Sequence, residues 1–145
     1  MQVRHILRDK GRDIVAISCH ASLLEAARVL SEKRIGALVV KDKAGGLAGI
    51  ISERDLVRAV AALGADGLSE SVERHMTHGP ETCTECDTVE SVMEAMTRGR
   101  FRHLPVIDES DQLCGMVSIG DVVKTRIAET VSEAAALRDY ISAAI

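Results

Sequence analysis

Aromatic side chains are nearly missing from this chain. Its 145 residues hold one Phe, one Tyr and no Trp. Any core must therefore be aliphatic and alanine-rich, and a flat ligand must be held mainly by aliphatic walls. No apolar run approaches the ~20 residues that span a bilayer. The N-terminal stretch MQVRHILRDKGRD lacks the long apolar region of a signal peptide. A basic surplus is lacking too: 18 Lys and Arg face 22 Asp and Glu, for a formal net charge of -4. That balance argues against a protein that coats nucleic acid. There is no Walker loop, no GxGxxG and no nucleophile–base arrangement. The expectation is a cytoplasmic, non-catalytic chain with neither nucleic acid nor membrane as partner. Its four cysteines, in a reducing compartment, do not suggest a disulfide framework.

What the chain does have is an internal repeat. AGIISERD at 48–55 and CGMVSIGD at 114–121 follow one pattern: small residue, Gly, two apolar residues, Ser, two variable residues, Asp. With the chain laid on itself, residues 17–61 lie over 83–127 without a gap. Among the identities are Arg34/Arg100, Leu38/Leu104, Val40/Val106, Asp42/Asp108, Leu47/Leu113, Gly49/Gly115, Ser52/Ser118 and Asp55/Asp121. A short preface repeats more weakly, RHI at 4–6 against RHM at 74–76.

Each copy predicts the order β-α-β-β-α. DIVAI and PETCT read as short strands. Leu23, Ala26, Ala27 and Leu30 share a helical face, as do Val89, Val92, Met93 and Met96. Ser22 and Glu25 form a capping box. The strand pairs GALVV/LAGII and HLPVI/LCGMV follow, with turns rich in Gly, Asp and Ser. Pro105, inside one of these strands, predicts an edge position or a bulge. A further helix starts after each motif Ser. The expected segments are 1–63 (first repeat with preface), 64–79 (connector with a helical turn in ESVERHM), 80–127 (second repeat) and 128–145 (terminal helix). Val131, Ala134, Ala135, Leu137, Tyr140 and Ile141 give that last helix an apolar face that either docks back or meets a partner. The fold class is α/β (α+β), with two units of limited size sharing one core.

The repeated motif allows two readings of the same atoms. Ser-x-x-Asp at a strand-to-helix junction is a capping box, and the glycine can simply allow close packing. Equally, a helix N-terminus favours phosphate. Ser52 or Ser118 adds a hydroxyl, and Asp55 or Asp121 is an acceptor suited to ribose hydroxyls. Ile50–Ile51 or Met116–Val117 can pave the wall for a base.

The paired β-α-β-β-α units, each ending in Gly-apolar-apolar-Ser-x-x-Asp and preceded by KRIGALVV or RFRHLPVID, resemble the CBS-domain family, as a stand-alone tandem pair. The resemblance covers nearly the whole chain. It implies a module with two pseudo-symmetric clefts, a homodimer, and regulatory binding of AMP, ADP, ATP, NAD or S-adenosylmethionine, reported to a separate regulated protein. It implies that Asp55 and Asp121 hold ribose, that Ser52 and Ser118 lie at the α-phosphate, and that Arg102 and His103 contact phosphate. His103 is then expected to be partly protonated at neutral pH. The alternative for Arg102 and His103 is a solvent-facing strand edge.

The copies differ at these positions. Arg54 stands where copy two has Gly120, and Gly36–Ala37 where copy two has Arg102–His103. The clefts are therefore expected to differ in affinity or ligand, one taking a mononucleotide and the other something longer. Three other functions remain open: a ligand-free dimerisation scaffold, zinc held by His75, His78, Cys83 and Cys86 at H-x2-H-x4-C-x2-C spacing, or hydrolysis of a bound nucleotide.

Overall fold

The computed structural model describes residues 1–144. Helix α1 spans Val3–Lys10, strand β1 Ala16–Ser18, and helix α2 Leu23–Lys33. Strands β2 (Ala37–Lys41) and β3 (Leu47–Ser52) lead into α3 (Glu53–Leu63). A 3-10 segment, Gly64–Ser69, then α4 (Val72–His75) and β4 (Thr77–His78), connect to the second repeat. That repeat holds β5 (Cys83–Thr84), α5 (Val89–Gly99), β6 (His103–Ile107), β7 (Leu113–Ser118) and α6 (Ile119–Ala144).

The repeat is exact down to the register. Strands β2 and β3 pair antiparallel with Ala37 opposite Ser52 and Val40 opposite Gly49. Strands β6 and β7 do the same with His103 opposite Ser118 and Val106 opposite Gly115. The turns share one device. Asp42 Oδ1 accepts from the amides of Ala44 and Gly46, and Asp108 Oδ1 from those of Ser110 and Gln112. A carboxylate that folds its own turn explains the identity at this position. Helix α2 is capped by Ser22 in the predicted box with Glu25, and α5 by Thr88, which accepts from the Ser91 amide.

Pro105 required a finer account than edge or bulge. Its strand is the middle one of the order β5-β6-β7. However, β5 pairs only with Val106 and Ile107, so Pro105 lies beyond its end. At the matching place in the first sheet, the Val39 N–H donates to Val15 O at 3.2 Å. Proline has no N–H to give there, and the shortened neighbour asks for none. The ladder irregularity after Val106 recurs after Val40, where no proline stands.

The preface segments exchange places. Val3, Ile6 and Leu7 of α1 are buried with Cys83, Val89, Val92, Leu104 and Val117, in the core of the second repeat. Val72 and Met76 are buried with Leu23, Ala26, Leu38 and Ile51, in the core of the first. Main-chain bonds fix both docks: Val3 N–H to Asp87 O at 2.9 Å, and Val72 N–H to Ala21 O at 2.8 Å. Residues 1–63 are thus a sequence unit whose first helix completes the other repeat's core. Leu7 and Met76 occupy the same place, each against a motif glycine, which moves the preface alignment by one residue.

The boundary expected at 127/128 does not interrupt the helix. α3 ends at Leu63 before Gly64 at φ 68°, whereas α6 meets neither Gly nor Pro after its first turn and runs unbroken for 26 residues. Its residues 130–144 are all exposed, so the apolar face does not dock back. Residue 145 of the expected terminal helix lies outside the described residues. The units do not share the one core that the sequence predicts: each buries its own cluster, completed by a preface helix. Both clusters are aliphatic, with no buried charged side chain among the described residues. No helix among them is long and apolar enough to cross a membrane.

Candidate functional site

Each motif Ser ends a strand and caps a helix. Ser52 Oγ accepts from the Asp55 amide at 3.4 Å, and Asp55 Oδ2 accepts from the Ser52 amide at 2.8 Å and hydroxyl at 2.9 Å. Ser118 and Asp121 repeat the arrangement at 3.3, 2.9 and 3.0 Å. The capping reading is therefore realised in both copies, and it also fixes both carboxylates in place. The first turn is less open to an anion than a bare helix start. The Glu53 N–H already donates to Gly36 O, and the Ile119 N–H to Arg102 O.

Motif and partner residues meet across the repeats. One cleft, about 540 Å³, joins Ile50, Ser52, Arg54, Asp55 and Arg58 of the first repeat to Arg100, Phe101, Arg102 and His103 of the second. The other, about 310 Å³, joins Met116 and Ser118 to Lys10, Arg34, Ile35, Gly36 and Ala37, and His103 borders it too. Arg54 and Arg102 thus share a cleft although they belong to different copies. The crossing arises because β2 and β6 start beside the opposite repeat: a Cβ on Gly36 would lie 3.2 Å from His103 Cε1. Arg102 and His103 both line the larger cleft, Arg102 exposed and His103 half-buried.

The larger cleft carries four arginines, Arg54, Arg58, Arg100 and Arg102, against the carboxylates Glu53, Asp55 and Glu81. Arg100 caps α5 in the left-handed conformation at φ 55°, as Arg34 caps α2. A bulky residue seldom adopts this geometry, and here it places an arginine at the mouth of each cleft. Sequence reasoning noted the identity of Arg34 and Arg100 but assigned them no site. It also missed Arg58, and Phe101, the chain's single Phe, which gives the larger cleft an aromatic wall where aliphatic ones were expected.

The two aspartates differ in company. Lys10 Nζ lies 2.7 Å from Asp121 Oδ2 and donates to Met116 O at 3.0 Å. Burial acts to raise the Asp121 carboxyl, but the hydrogen bonds from Lys10 and Ser118 and the Lys10 charge outweigh it and hold the carboxyl below its ordinary range. Burial, then the adjacent Arg102 charge, lower His103 below its ordinary 6.5, against opposing pulls from Glu53 and Asp121.

The proposed zinc set does not assemble. Cys83 is buried in the second core, where burial pushes its thiol up to about 12. Cys86 is exposed and accepts from Arg4 at 3.0 Å. His75 lies 3.8 Å from Glu70, in the connector. Among the described residues, the one trio of metal-ligand type within reach of a single ion is different: Cys19, His20 and Glu73.

With this geometry in hand, comparison with known proteins is decisive for the family. The CBS domain model matches residues 3–62 and 70–128. The chain belongs to the CBS-domain family. The match separates the repeats as the fold does, and each matched segment begins with its preface helix. The fold agrees with that of a CBS-domain protein from Agrobacterium tumefaciens, at 48% identity and a TM-score of 0.84, covering 86% of this chain and 92% of that one. A CBS domain protein from Pyrobaculum aerophilum, solved in complex with AMP, is 28% identical with a TM-score of 0.75, covering 83% and 89%. A mitochondrial CBS domain-containing protein from Arabidopsis thaliana is 37% identical over 124 residues, 83% of this chain and 60% of that one. The chain spans 66%, 17% and 60% of the first three curated relatives it matches.

Proposed function

We propose that this CBS pair is a non-catalytic regulatory module that binds an adenine nucleotide (AMP, ADP, ATP or NAD(H)) between its repeats and so senses energy or redox state. The observation that carries the reading is the meeting of three chemistries in the larger cleft. Ile50 and Phe101 offer an apolar wall to a base. Asp55, held by Ser52 at the start of α3, offers acceptors to ribose hydroxyls. Arg54, Arg58, Arg100 and Arg102 offer forked donors to phosphates. Since Gly36 and Ser52 already engage two amides of the first turn of α3, the phosphate charge is met mainly by arginines, with Ser52 beside the α-phosphate. His103 contacts phosphate from the edge of the cleft. The counterparts are Ser118, which lines the smaller cleft, and Asp121, which is bonded to Ser118 and Lys10 at its edge. The AMP complex of the Pyrobaculum relative supports the ligand class.

The module acts on a regulated protein, and it forms a homodimer through the exposed apolar faces of α3 and α6. The ligand reports by binding two conformations unequally. A thermal-shift screen against AMP, ADP, ATP, NAD, NADH and S-adenosylmethionine, with GMP as control, tests the reading. A ligand that binds only the folded chain raises its melting temperature. Stabilisation by adenine compounds and not by GMP supports the sensor. No shift with any of them contradicts it and favours a ligand-free scaffold.

A further inference from the structure

We propose that Lys10 closes the smaller cleft, so that each chain binds one adenine nucleotide, at Asp55, and none at Asp121. This rests on the nucleotide reading above and adds which of two similar half-sites works.

The Lys10 ammonium contacts two groups of that half-site. It lies 2.7 Å from Asp121 Oδ2, the counterpart of the ribose acceptor, and donates at 3.0 Å to the carbonyl of Met116, the counterpart of Ile50. Asp121 Oδ2 already accepts from the Ser118 amide and hydroxyl, so the lysine is the third donor to that oxygen. A ribose hydroxyl that takes the lysine's place on Oδ2 replaces a charge-assisted hydrogen bond with a neutral one, which is the weaker partner. At Asp55 no such exchange is needed, because the chain beside it takes another path.

The difference comes from the preface helices. α1 continues to Lys10 before Gly11 stops it at φ 96°. The matching helix α4 ends at His75, and the next residues, Thr77 and His78, pair as a strand with Ile50 and Gly49. Beyond them come Gly79 and Pro80, neither of which carries a cation. One extra turn of helix therefore delivers a lysine to one carboxylate, and its absence leaves the other open. The cleft volumes, about 540 and about 310 Å³, differ in the same sense.

Isothermal titration of the full chain with AMP tests this through stoichiometry. The wild type is expected to bind one AMP per chain and Asp55→Asn to weaken that site at least tenfold. Lys10→Ala and Lys10→Met should gain a second site, at least tenfold tighter than any second binding in the wild type. Lys10→Arg, which keeps the ion pair, should remain at one. The double variant Asp55→Asn/Lys10→Ala should bind one AMP, now at Asp121. Thermal melts of each variant confirm folding, and having both Ala and Met at an exposed position guards against a single misfolded variant. Two sites in the wild type, or one in both Lys10→Ala and Lys10→Met, overturn closure by Lys10 while leaving the nucleotide reading intact. No AMP binding by any of these chains overturns the nucleotide reading, and this inference with it.

Discussion

The Arg54 guanidinium donates to the Arg100 carbonyl at 3.3 Å, tying the first turn of α3 in one repeat to the C-cap of α5 in the other. The bond spans the mouth of the larger cleft, so Arg54 both braces the repeats and faces the proposed phosphate site. Arg54→Met is expected to weaken ATP binding by about fivefold to tenfold. That is near the lower end for a hydrogen bond to a charged group, because the side chain is exposed. Adenosine binding should change by less than twofold. Titrations with the two ligands check this, and equal losses would show that Arg54 acts only as a brace.

The motif glycines differ in what surrounds them. A Cβ on Gly49 would meet the backbone oxygen of Thr77 and stand 2.7 Å from Met76 Sδ. On Gly115 it would stand 2.8 Å from Leu7 Cδ2, the end of a side chain. Overpacking a core costs about 1–3 kcal/mol. Gly49→Ala is expected at or above the top of that range and Gly115→Ala near the bottom, because backbone yields less than a leucine tip. Urea denaturation of both variants gives the comparison, and the reverse order would contradict the packing argument.

His103 gives the protein a pH dependence of known sign. Its value in the folded chain is lowered from 6.5 by burial and by Arg102. Between the lowered value and about 6.5 the unfolded chain holds more protons, so stability rises with pH in that window. The contribution is complete above about 6.5 and is lost as pH falls through the folded value. A bound phosphate favours the imidazolium and reverses the shift. AMP affinity should therefore rise from pH 7.5 to pH 6 with proton uptake, while adenosine affinity stays flat. Calorimetry in buffers of different ionisation enthalpy reads this directly, and His103→Gln should abolish it. The same proton uptake in His103→Gln would assign it to another group.

Val57 on α3 and Val123 on α6 hold equivalent positions in the two repeats and are 68% and 44% exposed. With Ile127 they leave apolar surface uncovered on one chain. The proposed homodimer buries it. Size exclusion with light scattering should give a dimer for the wild type and a monomer for the double variant Val57→Glu/Val123→Glu, with the melting of each chain cooperative. A monomeric wild type at micromolar concentration would contradict the dimer.

Much of the fold was legible because the chain writes it twice. The Gly-apolar-apolar-Ser-x-x-Asp copies located both strand-to-helix junctions, and Asp42 and Asp108 marked both turns. What escaped was nonlocal. Nothing in a linear repeat says that α1 completes the second core while α4 completes the first, and the helix that Val3, Ile6 and Leu7 mark by their spacing before Gly11 was not read from the sequence. The site was half legible for the same reason. Ser52 and Asp55 could be read from their motif. That Arg102 and His103 of the other copy would join them, and that Lys10 would reach Asp121, depended on how the repeats face each other. Phe101 was passed over because a single aromatic carries no pattern.

The central claim is that the Asp55 cleft binds an adenine nucleotide through its ribose. The most direct test is a paired AMP titration of the wild type and Asp55→Asn. Asparagine is nearly isosteric, and its amide oxygen can still accept from the Ser52 amide, so the α3 cap is kept while the charge is lost. Losing a hydrogen bond to a charged group, about 1.5–3 kcal/mol, predicts affinity reduced by roughly tenfold to 150-fold, with a melting temperature within a few degrees of the wild type. Unchanged AMP affinity in Asp55→Asn would contradict the account.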